Sequence, residues 1–130
     1  GLKHIGYTYQ PEPRGIADAL SLAEEWVCGE PICVMLGDNV LEHPIAEAVA
    51  EFRADPVGAR IFLTKVGSPQ HYGVVEVDED MRVKNIEEKP VMPKTNLIAV
   101  GVYMYDSSVW GLIEGLTPSK RNELEITDLN

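Results

Sequence analysis

Basic residues are scarce in this chain. Its 130 residues carry 11 Lys and Arg against 21 Asp and Glu, a formal net charge of −10. A surface that follows nucleic-acid phosphates needs clustered lysine and arginine, so that class of partner is excluded. A smaller phosphate ligand would have to be met by a few placed cations, or by a metal ion, that reverse the field locally. Cysteine is nearly as scarce. Cys28 and Cys33 stand without the histidine spacing of a zinc site, and they read as buried thiols of a reducing cytosol. His4, His43 and His71 are scattered and read as surface or loop histidines. Neither a Gly-x-Ser-x-Gly elbow nor a Cys–His pair is legible. No apolar run approaches the roughly 18 residues of a membrane span. What remains, 45% hydrophobic and 25% charged residues, is ordinary for a soluble globular protein with one small core.

The hydrophobic pattern alternates between the two periods of regular structure, which predicts α/β layering. Residues 5–9 read as a short strand. Two prolines and a glycine make Gln10–Gly15 a loop. Ile16, Ala19, Leu20, Ala23 and Val27 recur at helical spacing and predict a helix over 16–27, ended by Gly29 and Pro31. A buried strand, Ile32–Leu36, follows. Pro44 suits the first turn of a second helix, with Ile45, Ala48, Val49 and Phe52 on one face. Residues 59–66 are rich in branched side chains and predict a strand. Residues 73–77 and 82–86 alternate with period two around Asp78-Glu79-Asp80-Met81, a hairpin pattern. A strand over 97–105, a short helix capped by Ser107 through Ile113, and the start of a helix over 123–130 complete the reading. No repeat or low-complexity tract appears.

Several residues carry candidate chemistry. Asp38 follows the apolar run in Leu36-Gly37-Asp38-Asn39. A carboxylate there stands at the carboxyl edge of a sheet, where ligands bind in open α/β folds, and it is a natural Mg²⁺ ligand. The same triplet also reads as a plain strand-to-loop turn. Glu88 and Lys89 are neighbours, and adjacent strand residues point to opposite faces. Both reach one ligand only if the strand ends there, and Pro90 supplies an end. The bland alternative is a solvated charge run. Arg121 offers a fork suited to phosphate.

Four segments together resemble the sugar nucleotidylyltransferases, most closely those acting on glucose 1-phosphate and a thymidine nucleotide. They are residues 9–17 (Tyr-Gln-Pro-Glu-Pro-Arg-Gly-Ile-Ala), residues 36–39, residues 72–76 with Ile86-Glu87-Glu88-Lys89-Pro90, and Glu123-Leu124-Glu125-Ile126-Thr127-Asp128. The resemblance implies an enzyme that couples a sugar 1-phosphate, glucose 1-phosphate foremost, to a nucleoside triphosphate, dTTP foremost, and releases pyrophosphate. It implies that Gln10 and Gly15 read the base and that Asp38 holds Mg²⁺. It gives Lys89 and Arg121 the sugar phosphate, and it places Leu36, Tyr72, Gly73, Glu88, Tyr103, Glu123 and Thr127 around the sugar. Two departures stand out. Asn122 replaces a glycine the family usually has, though asparagine tolerates left-handed backbone. Val100 stands where threonine is common.

The fold expected is a Rossmann-like, GT-A-like nucleotidyltransferase domain, a mixed sheet flanked by helices. The family's glycine-rich triphosphate loop is not found. The expectation is therefore a partial domain over 1–130, truncated at both ends, inactive alone, with an unpaired sheet edge and its second metal ligand beyond Asn130. Cytoplasmic location and a homotetramer follow by resemblance, with no nucleic-acid or membrane partner. Three alternatives stand beside this reading. A UTP-dependent uridylyltransferase would differ only in the base. A non-catalytic regulatory module would be expected to lose Asp38, Lys89 or Arg121. A glycosyltransferase would want two aspartates one residue apart, and Asp38-Asn39-Val40 lacks them.

Overall fold

A computed structural model describes residues 4–130. The chain runs α1 (Ile16–Ser21), α2 (Glu24–Val27), β1 (Ile32–Met35), α3 (Ala46–Ala54), β2 (Ala59–Lys65), β3 (Gly73–Val77), β4 (Val83–Glu88), β5 (Leu97–Tyr105), α4 (Val109–Gly115) and α5 (Ile126–Leu129). Helices flank one five-stranded sheet, as expected, but among the described residues every strand pairing is antiparallel, where a mixed sheet was expected.

β5 organises the sheet. One edge pairs with β2 over nearly its full length, from Ala59 opposite Tyr105 to Lys65 opposite Leu97. The other edge is shared. β1 takes the carboxyl half, Met35 opposite Val102, and β3 takes the amino half, Val74 opposite Ile98. β1 and β3 therefore lie in line, the end of one facing the start of the other across residues 99–101. The β2 register shifts at the same level. Ile61 opposes Tyr103 and Leu63 opposes Ala99, so Val100–Val102 bulge opposite Phe62. A bulge bends a strand and re-aims its side chains, often beside a functional site. Here it lies where the sheet splits.

β5 is buried on both faces over Gly101–Tyr105. Tyr103 and Tyr105 stack, with centroids 6.2 Å apart. They join Ala17, Leu20, Val109, Trp110, Ile113, Ile126 and Leu129 in the main core. Each of the larger aliphatic side chains contributes about 1.5–3 kcal/mol by leaving water. Trp110→Ala, which empties the largest volume in this cluster, would cost roughly 3–5 kcal/mol. Met104, by strand alternation, faces the other side with Phe52 of α3.

Several expectations are corrected. Residues 5–9 join no ladder, and Tyr7 and Tyr9 are exposed. The helix over 16–27 is broken at Leu22–Ala23. The Ser21 hydroxyl bonds the Asp18 carbonyl at 2.7 Å, and Ala23 N–H closes a tight turn onto Leu20 O. Such back-bonding competes with the helical ladder. Cys28 and Cys33 are exposed rather than buried. Cys28 sits in a left-handed C-cap, and Cys33 of β1 lies opposite Met104, beside Phe52 of α3 yet open to solvent. The fourth helix starts at Val109, and Ser107 does not cap it. Its N-cap, Ser108, makes no side-chain cap bond either; Asp106 instead closes the turn before the helix, accepting from both the backbone N–H and the hydroxyl of Ser108.

Candidate functional site

The split in the sheet opens into a cleft of about 600 Å³. Ala99, Val100 and Gly101, at and beside the β5 bulge, line it, with the loop after β1 at one side and the β4 and α5 ends at the other. Of the residues singled out in the sequence, Leu36, Asp38, Tyr72, Gly73, Glu88, Lys89, Tyr103, Arg121, Glu123 and Thr127 all line this one cleft. Gln10 and Gly15 are not part of it. The Gln10 side-chain amide donates to Asp18 Oδ2 at 2.6 Å and to Gly15 O at 3.1 Å. Gly15 has φ +101°, and a Cβ there would lie 2.5 Å from the Leu124 carbonyl oxygen. The helix start packs so closely against Leu124 that glycine is required there by the fold itself.

Asp38 stands exposed on the turn that ends β1. Its anchor is Asn39, whose amide donates to Asp38 Oδ1 at 2.9 Å while its carbonyl oxygen accepts from Gly101 N–H at 3.1 Å. Leu36 N–H donates to Gly101 O at 2.8 Å. A Cβ on Gly101 would strike Asn39 Nδ2 and Leu36 Cδ1, at 2.5 and 2.8 Å. Glycine at 101 is what lets the Asp38 loop seat on β5. Among the described residues no group of three His, Cys, Asp or Glu side chains would hold a metal. One exposed carboxylate fits a Mg²⁺ ion that keeps waters and takes phosphate oxygens, not an ion caged by protein.

The opposite wall is a charge network. Lys89 has φ +45°, a left-handed turn immediately after Glu88 and before the buried Pro90. Its N–H donates to Tyr72 O at 3.0 Å, carrying the β3–β4 ladder one step further. Non-glycine residues held there cost about 1–3 kcal/mol and cluster at functional sites. This reversal is how two sequence neighbours reach one cleft, with Lys89 Nζ 3.6 Å from Glu88 Oε1. Thr127 Oγ1 donates to Glu88 Oε2 at 2.7 Å. A Cβ on Gly73 would sit 3.4 Å from that carboxylate oxygen and 3.5 Å from the threonine hydroxyl, in ordinary contact with the pair.

Arg121 projects from a turn closed by Asn122, whose N–H donates to Ser119 O at 2.9 Å. Asn122 has φ +60°, so asparagine does hold the left-handed position. Arg121 Nε and Nη2 donate to the two oxygens of Glu125, at 3.1 and 2.7 Å. This raises the guanidinium pKa. Nη2 also lies 3.3 Å from Glu123 and 4.0 Å from Glu88. Burial alone would raise the Glu125 carboxyl, but hydrogen bonds from Arg121 and Ser119 outweigh it and hold it below the ordinary range. Tyr103 is buried at the floor. Desolvation first, then the charges of Glu88 and Asp38, push its hydroxyl pKa up, so it faces the cleft as a neutral donor.

Glu125, Asn39 and His71 escaped the sequence reading. His71 lies in the short turn Pro69–His71 and lines the cleft. Glu125 was within reach, since it stands four residues from Arg121. Asn39 was not, because its partner is 62 residues away.

The chain is 39% identical over 127 residues to a glucose-1-phosphate thymidylyltransferase of Neisseria meningitidis, covering 97% of this chain and 44% of that protein. It is 40% identical over 128 residues to one of Xanthomonas campestris, covering 98% and 43%. It thus spans less than half the length of these relatives. A crystal structure described as a glucose-1-phosphate thymidylyltransferase from Bacillus anthracis, with a sucrose, superposes with TM-score 0.87 at 41% identity, over 96% of this chain and 50% of that one. A UDP-glucose pyrophosphorylase bound to UDP-glucose shares the fold, with TM-score 0.81 at 23% identity. The family model described as "Nucleotidyl transferase" matches residues 2–130. The sheet with its flanking helices, the cleft and the matched sequence agree: the chain belongs to the nucleotidyl transferase family.

Proposed function

We propose that this chain carries the sugar-phosphate side of a site that joins glucose 1-phosphate to a thymidine nucleotide, using dTTP and releasing pyrophosphate. The observation that carries this is the single cleft bordered by Asp38, Lys89 and Arg121. A phosphate oxygen of the sugar 1-phosphate attacks the α-phosphorus in line. Pyrophosphate leaves with the bonding pair, and no covalent enzyme intermediate forms. Lys89 and Arg121 neutralise the sugar phosphate. Glu88, braced by Thr127, accepts from sugar hydroxyls. Tyr103 donates from the floor, Tyr72 and Leu36 wall the pocket, Gly73 leaves backbone room for the sugar, and Glu123 borders it. Asp38 is the residue that would hold Mg²⁺, which supplies charge neutralisation at the transferring phosphoryl group when bound. Gln10 and Gly15 read the base in this proposal only if the Gln10 amide leaves Asp18 for the ligand.

The names of the relatives favour thymidine over uridine and catalysis over regulation. The chain is taken as one partial nucleotidyltransferase domain whose parent is a cytoplasmic homotetramer without nucleic-acid or membrane partners. No helix among the described residues is long and apolar enough to cross a membrane. The test is pyrophosphate release from a full-length enzyme carrying this segment, with glucose 1-phosphate and dTTP, UTP or CTP in turn. Fastest release with dTTP is expected. Fastest release with UTP would support the uridylyltransferase, and none with any triphosphate would support the regulatory module.

A further inference from the structure

Three carboxylates surround one guanidinium, and they are not equivalent. Glu125 is the buried one. Its side chain is 10% exposed, against 34% for Glu123 and 29% for Glu88. It is also the one with matched geometry, both oxygens receiving N–H groups from one edge of the Arg121 fork. Ser119 Oγ donates to Glu125 Oε1 at 2.7 Å, and the same hydroxyl oxygen accepts from Arg121 N–H at 3.1 Å. The carboxylate, the hydroxyl and the arginine backbone thus form a closed set. Among the described residues Nη1 receives no hydrogen-bond acceptor, which leaves the far edge of the fork to a ligand. Glu123 touches only Nη2, at 3.3 Å, the nitrogen that the far edge of the fork shares with the braced one.

We propose that Glu125 is a positioning residue that aims Arg121 at the substrate phosphate, while Glu123 competes with that phosphate for the same guanidinium. This rests on the reading that Arg121 meets the sugar phosphate. The two carboxylates then have opposite signs. Plain Coulomb repulsion says that neutralising any carboxylate beside an anion site tightens anion binding. Positioning says that neutralising Glu125 weakens it, because a fork without its brace loses rotamer order that binding must restore.

The experiment is a titration of a full-length enzyme carrying this segment with inorganic phosphate, followed by the amide shifts of residues 119–127 in NMR. Glu125→Gln should weaken phosphate binding roughly fivefold to tenfold, the scale of one coupled contact. Glu123→Gln should tighten it by about twofold to threefold. In an Arg121→Lys background no fork remains to be aimed, so the Glu125→Gln loss should vanish or reverse. Binding that is unchanged or tighter in Glu125→Gln overturns the proposal. So does an equal loss in the lysine background, which marks general disruption. If Glu125→Gln does not fold, Ser119→Ala tests the same brace with a smaller expected loss, and no loss overturns it. Arg121→Ala separately tests the underlying reading: unchanged phosphate affinity there removes Arg121 from the phosphate site.

Discussion

Arg121 reaches the cleft held by two hydrogen bonds to a buried carboxylate, whereas Asp38 stands exposed on a turn and is steadied through its neighbour Asn39. One wall is finished by this chain's own side chains. The other offers one ligand atom group that a metal and its phosphates would complete. The difference suits their proposed partners. A sugar phosphate is a small rigid anion that gains from a prepared seat. A hydrated Mg²⁺ ion arrives with most of its coordination sphere and needs few protein ligands.

The comparison breaks most sharply at the cations. In a full-length enzyme, Arg121→Ala or Lys89→Ala should lower kcat/KM by about 10²–10³-fold, the usual effect of removing one preorganised charge from a reacting phosphate. Steady-state kinetics over glucose 1-phosphate checks this, and a loss below about threefold would remove the prepared-seat reading. Asp38→Asn should give a loss of similar size, accompanied by a raised Mg²⁺ requirement. A change in the sugar-phosphate KM alone would place Asp38 on the wrong wall.

Gly101→Ala acts on the Asp38 wall alone. The new methyl group meets Asn39 and Leu36, so the variant should lose about 1–3 kcal/mol of stability, measured by urea unfolding. Phosphate binding at Arg121 should be retained. Equal damage to both functions would show that the walls are not independent.

Acid sharpens the contrast next. The Glu125 carboxyl is held below its ordinary range in the folded chain. A depressed native pKa contributes stability that is fully present above the unfolded glutamate value of about 4.3 and is lost as pH falls through the lower native one. Unfolding free energy should therefore drop below about pH 4.3, and Glu125→Gln should flatten that limb. An unchanged acid limb would show that the brace is weak. Smallest of all, Asn122→Gly should shift stability by no more than about 0.5 kcal/mol, since glycine relieves the left-handed backbone but frees the unfolded chain.

Much of this was legible in the residues. Branched runs marked β2 and β5, and Asp78–Met81 marked the β3–β4 hairpin. Asp38, Glu88, Lys89 and Arg121 were recognisable by type and by resemblance. Pro90 rightly signalled that β4 ends where two neighbours need to converge, although only coordinates reveal the left-handed turn at Lys89 that achieves it. The cleft itself was not legible. It exists because β1 and β3 share one edge of β5, and the β1 pairing joins residues more than sixty positions apart. Local hydrogen bonds also overrode pattern. Ser21 interrupts a helix that apolar spacing favoured, and Asp18 occupies the Gln10 amide that composition left free.

The strand that floors the cleft is also the strand at the centre of the core. Tyr103 and Tyr105 pack among Trp110 and Ile126, two to four residues beyond the Gly101 bulge. A guest resting on residues 99–101 should slow amide hydrogen exchange along that whole strand. Conversely, hollowing the layer around Trp110 should loosen the grip on a guest that Trp110 never meets. In this molecule, melting temperature and ligand retention report on a single length of backbone.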